Sequence, residues 1–508
     1  MFLYVKTLFY IDALLLIGLL AWRSSLREPY RNIVRFRTVA IILLTPVVAL
    51  FSRSINIYCV YLFCAAAFTS RSKADVCALY MLMFSLSPAL LIHLSAGSLY
   101  LIEFTTLHAI NLGALVGFLI TRGKTARGKL ALDILAWLPV IFGVIGAIAD
   151  YKLTSFLRPF ISYSILIIIP YFIISRSITT REELDRVMLY FMTGAVLASV
   201  VAVFEVLRTW PLYQPYQRAL GLEGGISKTL FVRNGALRVT GPFLDSTALG
   251  MFLAVSLSVL PSMRHQLGRL AWFGFMGVMA LGLLATQSRG AWVGAAAGLA
   301  VVMIARGRIG LLFGGGIAVA GAWMAKTMIS NRPTDIHAAE TAQYRLDLLK
   351  SGWRQFLNHP LFGQSRTSLE ANMVDLTQGQ GIIDFVNSHL YIALISGAVG
   401  LMAWLVAWAT PAMISWSAAR AARRDPGYPA GLVPLAMLAT AFVSLTFTSM
   451  VDRNGLWLVL ATALAAPCAA VTRQQMATRA ARAGGQGGPA PARALGGRLP
   501  RPAVLLPR

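Results

Sequence analysis

Runs of roughly 17–22 mostly apolar residues recur from the N-terminus to about residue 472, each long enough to cross the hydrocarbon core of a bilayer. Nothing constrains the fold more. Inside lipid the backbone must satisfy its own polar groups, so such runs are read as helices. The expected fold class is therefore all-α, a polytopic transmembrane helix bundle. Candidate spans lie near 3–22, 37–52, 54–70, 76–96, 99–121, 130–149, 155–175 and 187–207. Further ones lie near 243–262, 269–286, 289–305, 310–330, 388–411, 431–449 and 455–472. The second and third are short enough for a re-entrant pair, which leaves about 13 to 15 spans. The first run lacks a basic flank and a small-residue cleavage site, so it is expected to be retained as a span.

Charge supplies the orientation. Only 13% of the 508 residues are charged, about half the fraction of a soluble protein, yet the net charge is +25. That excess does not point to nucleic acid, because the basic residues sit in short connections between spans. WRSSLREPYRNIVRFR, SRSK, TRGKTARGK, SRSITTREELDR, MRHQLGR, ARGR and AARAARR alternate with nearly uncharged connections such as HLSAGSLY. By the positive-inside rule the basic set faces the cytoplasm. The Gly-, Pro-, Ala- and Arg-rich tail (473–508) joins it and is expected to be disordered. The chain then divides into an N-terminal bundle (1–207), a basic connection (208–242), central spans (243–330), a large loop (331–387) and C-terminal spans (388–472).

This assignment gathers the unusual residues on the external side. In the first long connection Arg208, Arg218, Lys228, Arg233 and Arg238 face a single Glu223, against the insertion bias. An anionic ligand or lipid headgroups would explain them. The second connection carries TAQYRLDLLKSGWRQFLNHPLFG. There Leu346, Leu349, Trp353 and Phe356 or Leu357 recur at helical spacing and Pro360 stops the run, which describes an amphipathic helix on the bundle mouth or the interface.

Arg289 opens the span SRGAWVGAAAGL, whose Gly290, Gly294 and Gly298 form one face and permit close helix packing. A guanidinium at the mouth of such a helix can bind phosphate in two-pronged fashion, or can snorkel to headgroups. Arg238, in LRVTGPFLDSTALGMFLA, precedes another span on the same side. His389 opens NSHLYIALISGAVGL and suits proton transfer near neutral pH. Glu103, Glu205 and Asp245 near external span ends are weaker candidates for orienting a sugar or an arginine, and Arg453 in the VDRNG turn is a further binding candidate. His108 is expected to make an interhelical hydrogen bond. Cys59, Cys64, Cys77 and Cys468 lack zinc spacing and read as small core residues, and no metal site is expected. The sequence holds no Walker A loop, zincin helix, dinucleotide loop or nucleophile elbow.

Three of these stretches together resemble the bacterial O-antigen polymerase and O-antigen ligase superfamily. They are RVTGPFLDSTALGMFLA, TQSRGAWVGAAAGL, and YRLDLLKSGWRQFLNHPLFGQS followed by NSHLYIALISGAVGL. The resemblance covers roughly residues 190–465, and the earlier spans match only in general hydropathy. It implies a GT-C-like bundle with a large periplasmic loop in the bacterial inner membrane. It also implies an undecaprenyl-diphosphate-linked glycan donor, a glycan acceptor, and transfer on the periplasmic face without metal or nucleotide. Other polysaccharide assembly proteins are further implied partners. Arg238 and Arg289 fall where the family places its diphosphate-binding arginines, Arg345 matches the arginine of the loop helix, and His389 stands near its base. Ligases show His-Asn before Leu-Tyr; here Ser388–His389 precede Leu390–Tyr391 with a shorter gap to Gly397, which leans towards polymerases. Ligation to lipid A core or protein is the alternative within the family. A lipid-glycan transporter is the rival from another class, but it would carry internal repeats and ionisable mid-span residues.

Overall fold

The apolar runs form helices because only a helix closes all of its own backbone hydrogen bonds in lipid. In the computed structural model, the described residues are 2–88, 90–96, 99–126, 128–145, 153–222, 232–233, 236–308, 310, 336–377, 383–423, 429–450 and 453–484. The first helices are α1 (Phe2–Ser25), α2 (Phe36–Phe51), α3 (Ile55–Phe68) and α4 (Lys73–Leu86). A hairpin of β1 (Leu91–Ala96) and β2 (Leu99–Thr105) leads to α5 (Thr106–Ile120), α6 (Leu130–Leu135) and α7 (Leu138–Ile145). Next, α8 (Leu153–Tyr163) continues through a π segment, Ser164–Ile168, into α9 (Ile169–Ser177), followed by α10 (Arg181–Arg208) and α11 (Gln214–Ala219). The short pair β3 (Val232–Arg233) and β4 (Ala236–Leu237) precedes α12 (Ser246–Val259), α13 (Arg269–Ala285) and α14 (Arg289–Ala305). The last helices are α15 (Ile336–Asn358), α16 (Arg366–Asn372), α17 (Ser388–Ala421), α18 (Leu432–Leu445) and α19 (Leu456–Gly484).

Among the described residues, six helices are long and apolar enough to cross a membrane, and seven shorter apolar helices accompany them. The protein is a multi-pass membrane protein. Phe9, Ile17, Leu119 and Leu281 are exposed on the outside of the bundle, as lipid contact requires, whereas Trp22, Tyr58, Phe191, Phe252 and Trp457 fill its interior. The basic connections gather at one end. Arg27 N–H donates to Gln266 O (2.9 Å), Ala126 N–H to Arg176 O (2.9 Å), and Arg186 pairs with Asp75 (2.8 Å). The opposite end, called the mouth here, collects the hairpin, the Arg238 segment, the start of α14, and the start of α17.

Several expectations change. The run read as a span over 76–96 stops at Leu86, and the next begins at Thr106. Between them β1 and β2 pair in antiparallel register, Ile92 with Phe104 and His93 with Glu103. Pro88 ends the helical ladder, and the alternating LYLIEFT suits a strand better than a helix. The second and third runs keep their expected bounds as two short helices, joined through Arg53, whose φ is 52°. The tail is not irregular from residue 473, because α19 runs on to Gly484 through Gln, Met, Ala and Arg, all good helix formers. The run at 310–330 and most of the tail lie outside the described residues.

Two contacts shape the mouth. The glycine face of α14 packs on α18: a Cβ added at Gly290 would sit 2.7 Å from Phe447 Cβ, and one at Gly294 2.7 Å from Thr440 O. Secondly, α17 is broken at Gly397 (φ 64°, ψ −164°), and the His359–Gly363 turn docks on the break. Ala398 N–H donates to Pro360 O (2.8 Å), Val399 N–H to Leu361 O (3.2 Å), and Gln364 N–H to Leu394 O (3.0 Å). The HPLFG turn thus supplies the bonds that the interrupted helix lacks, and it fixes α15 and α16 over the mouth.

Candidate active site

Arg289 is the first residue of α14 and is exposed. The preceding Gln287 has φ 52°, and Ser288 makes no side-chain cap, so the first turn that Arg289 opens has no side-chain acceptor from its N-cap. A cation at a helix N-terminus opposes the macrodipole, and both charges favour an anion there. The Arg238 segment runs beside this corner. Val239 N–H donates to Ala285 O (3.3 Å), and the Gln287 amide donates to Leu237 O (3.5 Å).

Glu205, 0% exposed at the end of α10, holds that segment in place. Its carboxylate accepts from Leu212 N–H (2.8 Å), Thr240 N–H (3.3 Å) and Gly241 N–H (3.0 Å). It therefore orients backbone, not a sugar. Asp245 caps α12, accepting from Ala248 N–H (2.6 Å) and the Thr247 hydroxyl.

Arg345, in α15, comes to the same mouth from the large loop. Burial pushes its guanidinium below the usual arginine range, repulsion from Arg289 adds to this, and attraction to Asp384 works against it. Arg345 therefore lies within electrostatic reach of Arg289. Among the described residues neither has a carboxylate within ion-pair distance. The apolar face of α15 turns outward, with Leu346, Leu349, Trp353 and Leu357 exposed, while Leu348 is buried and Tyr344 and Phe356 pack inward.

The other candidates are placed differently. Arg453 is 1% exposed, donating to the carbonyls of Phe84 and Ser87 between the Phe84 and Phe243 rings. It ties α4 to the start of α19 from inside the protein. In His389 both ring nitrogens are engaged: Trp404 Nε1–H donates to Nδ1 (3.0 Å), and Nε2 lies 3.0 Å from Phe442 O. Indole only donates, so Nδ1 carries the lone pair and Nε2–H donates to the carbonyl. The ring knits α17 to α18 and, as folded here, offers no free nitrogen to take up a proton. His108 makes the expected interhelical bond, to Ser162 Oγ (2.9 Å). Cys59, Cys77 and Cys468 are buried and Cys64 is exposed.

Sequence reasoning missed Asp384. Tyr344 clamps its backbone, donating to Asp384 O (3.1 Å) and accepting from Asp384 N–H (3.2 Å), and Ser449 Oγ donates to its carboxylate. Asp384 also lines a cavity of about 480 Å³, and Arg345 feels its charge.

No curated protein matches the chain. Residues 274–422 match the family described as O-antigen ligase, and this match supports membership of the O-antigen ligase and polymerase superfamily. The matched segment holds Arg289, Arg345, Asp384 and His389; Arg238 and Arg453 lie outside it.

Proposed function

We propose that this O-antigen ligase-type membrane protein is a glycosyltransferase that polymerises undecaprenyl-diphosphate-linked oligosaccharide units. The observation that carries the reading is the mouth itself. Arg289, the open N-terminus of α14, and Arg345 converge there with no carboxylate in ion-pair distance among the described residues. Two guanidiniums beside an open helix N-terminus, with no carboxylate paired to either, suit a bound dianion. In glycosyl transfer from a lipid diphosphate, charge builds on the departing diphosphate, and preorganised cations stabilise that charge in the transition state. The basic loops lie at the other end of the bundle, so by the positive-inside rule the mouth opens to the periplasm of the inner membrane. Ligation of the same donor to another acceptor uses the same mouth, and the departure at Ser388–His389 favours polymerisation.

The test is purified protein supplied with a polyisoprenyl-diphosphate-linked repeat unit. A ladder of longer glycans with release of the lipid diphosphate is expected, and a folded protein that never consumes donor overturns the reading. Deleting the gene separates the two branches. Loss of polymer with single units retained marks a polymerase, whereas long polymer left unattached marks a ligase.

His389 supplies a further check. Gln carries a donor and an acceptor, so His389→Gln should keep transfer near the wild-type rate. His389→Ala strands the buried Trp404 N–H and should cost about 1–3 kcal/mol of stability in thermal unfolding. A Gln variant with normal melting and transfer lowered about 10²-fold or more would make the imidazole a chemical participant.

A further inference from the structure

Beside Asp384 lies the cavity of about 480 Å³, walled by α7, α8, the π segment, the start of α16, residues 383–385, the start of α17, and Ser449, Met450, Gly455 and Leu456. Phe142, Tyr163, Phe385 and Tyr391 give it aromatic surfaces, and Arg366 and Asp384 give it charged groups. Its wall is unusual: the α ladder of α8 gives way to π geometry directly after Tyr163, and Asn111 Nδ2–H bonds the Ile165 carbonyl there (2.9 Å). Single π turns inside helices occur often at functional sites. Arg366 is held by Glu370 (2.7 Å), which raises its pKa and fixes its direction. Asp384 receives the Ser449 hydroxyl on Oδ1, and Oδ2 has no hydrogen bond among the described residues.

Resting on the glycosyl-transfer reading, we infer that this cavity is the acceptor-sugar site and that Asp384 is the base that activates the acceptor hydroxyl. Flat aromatic rings suit the C–H faces of a sugar, while phenols and a guanidinium suit its hydroxyls. Aromatic lining with a few convergent polar groups is the usual composition of small-ligand sites. The placement of Asp384 is what connects the two halves. Tyr344, which clamps its backbone, neighbours Arg345 in α15, so the carboxylate is held near Arg345 of the donor site while lining the acceptor cavity.

The step balances. The acceptor O–H proton passes to Asp384 Oδ2 as the oxygen bonds the donor's anomeric carbon. The bond from that carbon to the diphosphate oxygen breaks, and its electron pair leaves with the polyisoprenyl diphosphate against Arg289 and Arg345. Asp384 then returns the proton to water. No other reactant is required.

The experiment compares wild type, Asp384→Asn and Arg366→Ala, purified and checked by thermal unfolding, with the same lipid-diphosphate donor and a soluble fragment of the repeat unit as acceptor. Asp384→Asn should lower transfer about 10²-fold or more, with donor affinity within about twofold of wild type. Arg366→Ala should raise the acceptor KM about tenfold with the donor KM unchanged, as expected for loss of one charged contact. Wild-type transfer by Asp384→Asn overturns the inference and leaves the glycosyl-transfer reading standing. A change in donor KM alone for Arg366→Ala also overturns it, assigning the cavity to the donor's lipid chain. A wild-type protein that consumes no donor overturns both. If Asp384→Asn fails to fold, the two KM values of Arg366→Ala decide.

Discussion

Arg289→Lys should lose most activity while inserting and folding normally. The charge is kept, but an ammonium is a single point donor that cannot reproduce the planar two-pronged contact with a phosphate. Loss of one charge-assisted bond of about 1.5–3 kcal/mol corresponds to a fall of roughly 10- to 150-fold. Folding should be spared because the side chain is exposed and the corner is held by its neighbours. Gly290 lies against Phe447, Trp292 Nε1–H donates to Leu283 O (3.1 Å), and Ser288 N–H donates to Thr286 Oγ1 (3.3 Å). Donor consumption by purified Lys and wild-type proteins at equal concentration checks the expectation. Unchanged consumption would make Arg289 an anchor to lipid headgroups instead of a ligand to the diphosphate.

Arg289 could be picked out from sequence because an arginine between apolar runs is costly wherever the rest of the chain goes. The same is true of the Gly290, Gly294 and Gly298 face, whose helical spacing announces close packing, and α18 fills it. What the sequence hides depends on partners far along the chain. Asp384 is an ordinary loop carboxylate until Ser449 and Tyr344 reach it from 65 and 40 residues away. Arg453 looks like a mouth cation beside Asp452, yet its partners are carbonyls 369 and 366 residues earlier, and they draw it inside. The β1–β2 hairpin is concealed for a different reason. Its strands are as apolar as the spans around them, so composition masks the change from a period near 3.6 to a period of 2. His389 shows the reverse error, since a histidine at a span end resembles a base until both of its nitrogens are seen to be occupied.

The break in α17 supports the second large expectation: Gly397→Ala should loosen the whole loop that carries Arg345. With φ 64° and ψ −164°, Gly397 sits where residues with a Cβ are nearly absent, a strain of about 1–3 kcal/mol. An added Cβ would also lie 2.5 Å from Phe362 N, against the backbone of the docked turn, and overpacking of this kind costs about 1–3 kcal/mol more. The turn cannot simply retreat. Gly363 (φ 71°) is equally tight, since a Cβ there would lie 2.5 Å from Ser396 N, and the turn's carbonyls satisfy the Ala398 and Val399 N–H groups at the break. Separation of the two segments would free α15 to move and carry Arg345 away from Arg289. The variant should therefore melt several degrees lower, become sensitive to protease within residues 336–377, and lose donor affinity although no donor-contacting group has changed. Thermal unfolding and limited proteolysis in detergent read the first two effects, and a donor-binding isotherm reads the third. Wild-type melting together with wild-type protease resistance would show that the HPLFG turn rests on α17 without holding it, and the loop's position over the mouth would then have to come from the Tyr344–Asp384 clamp alone.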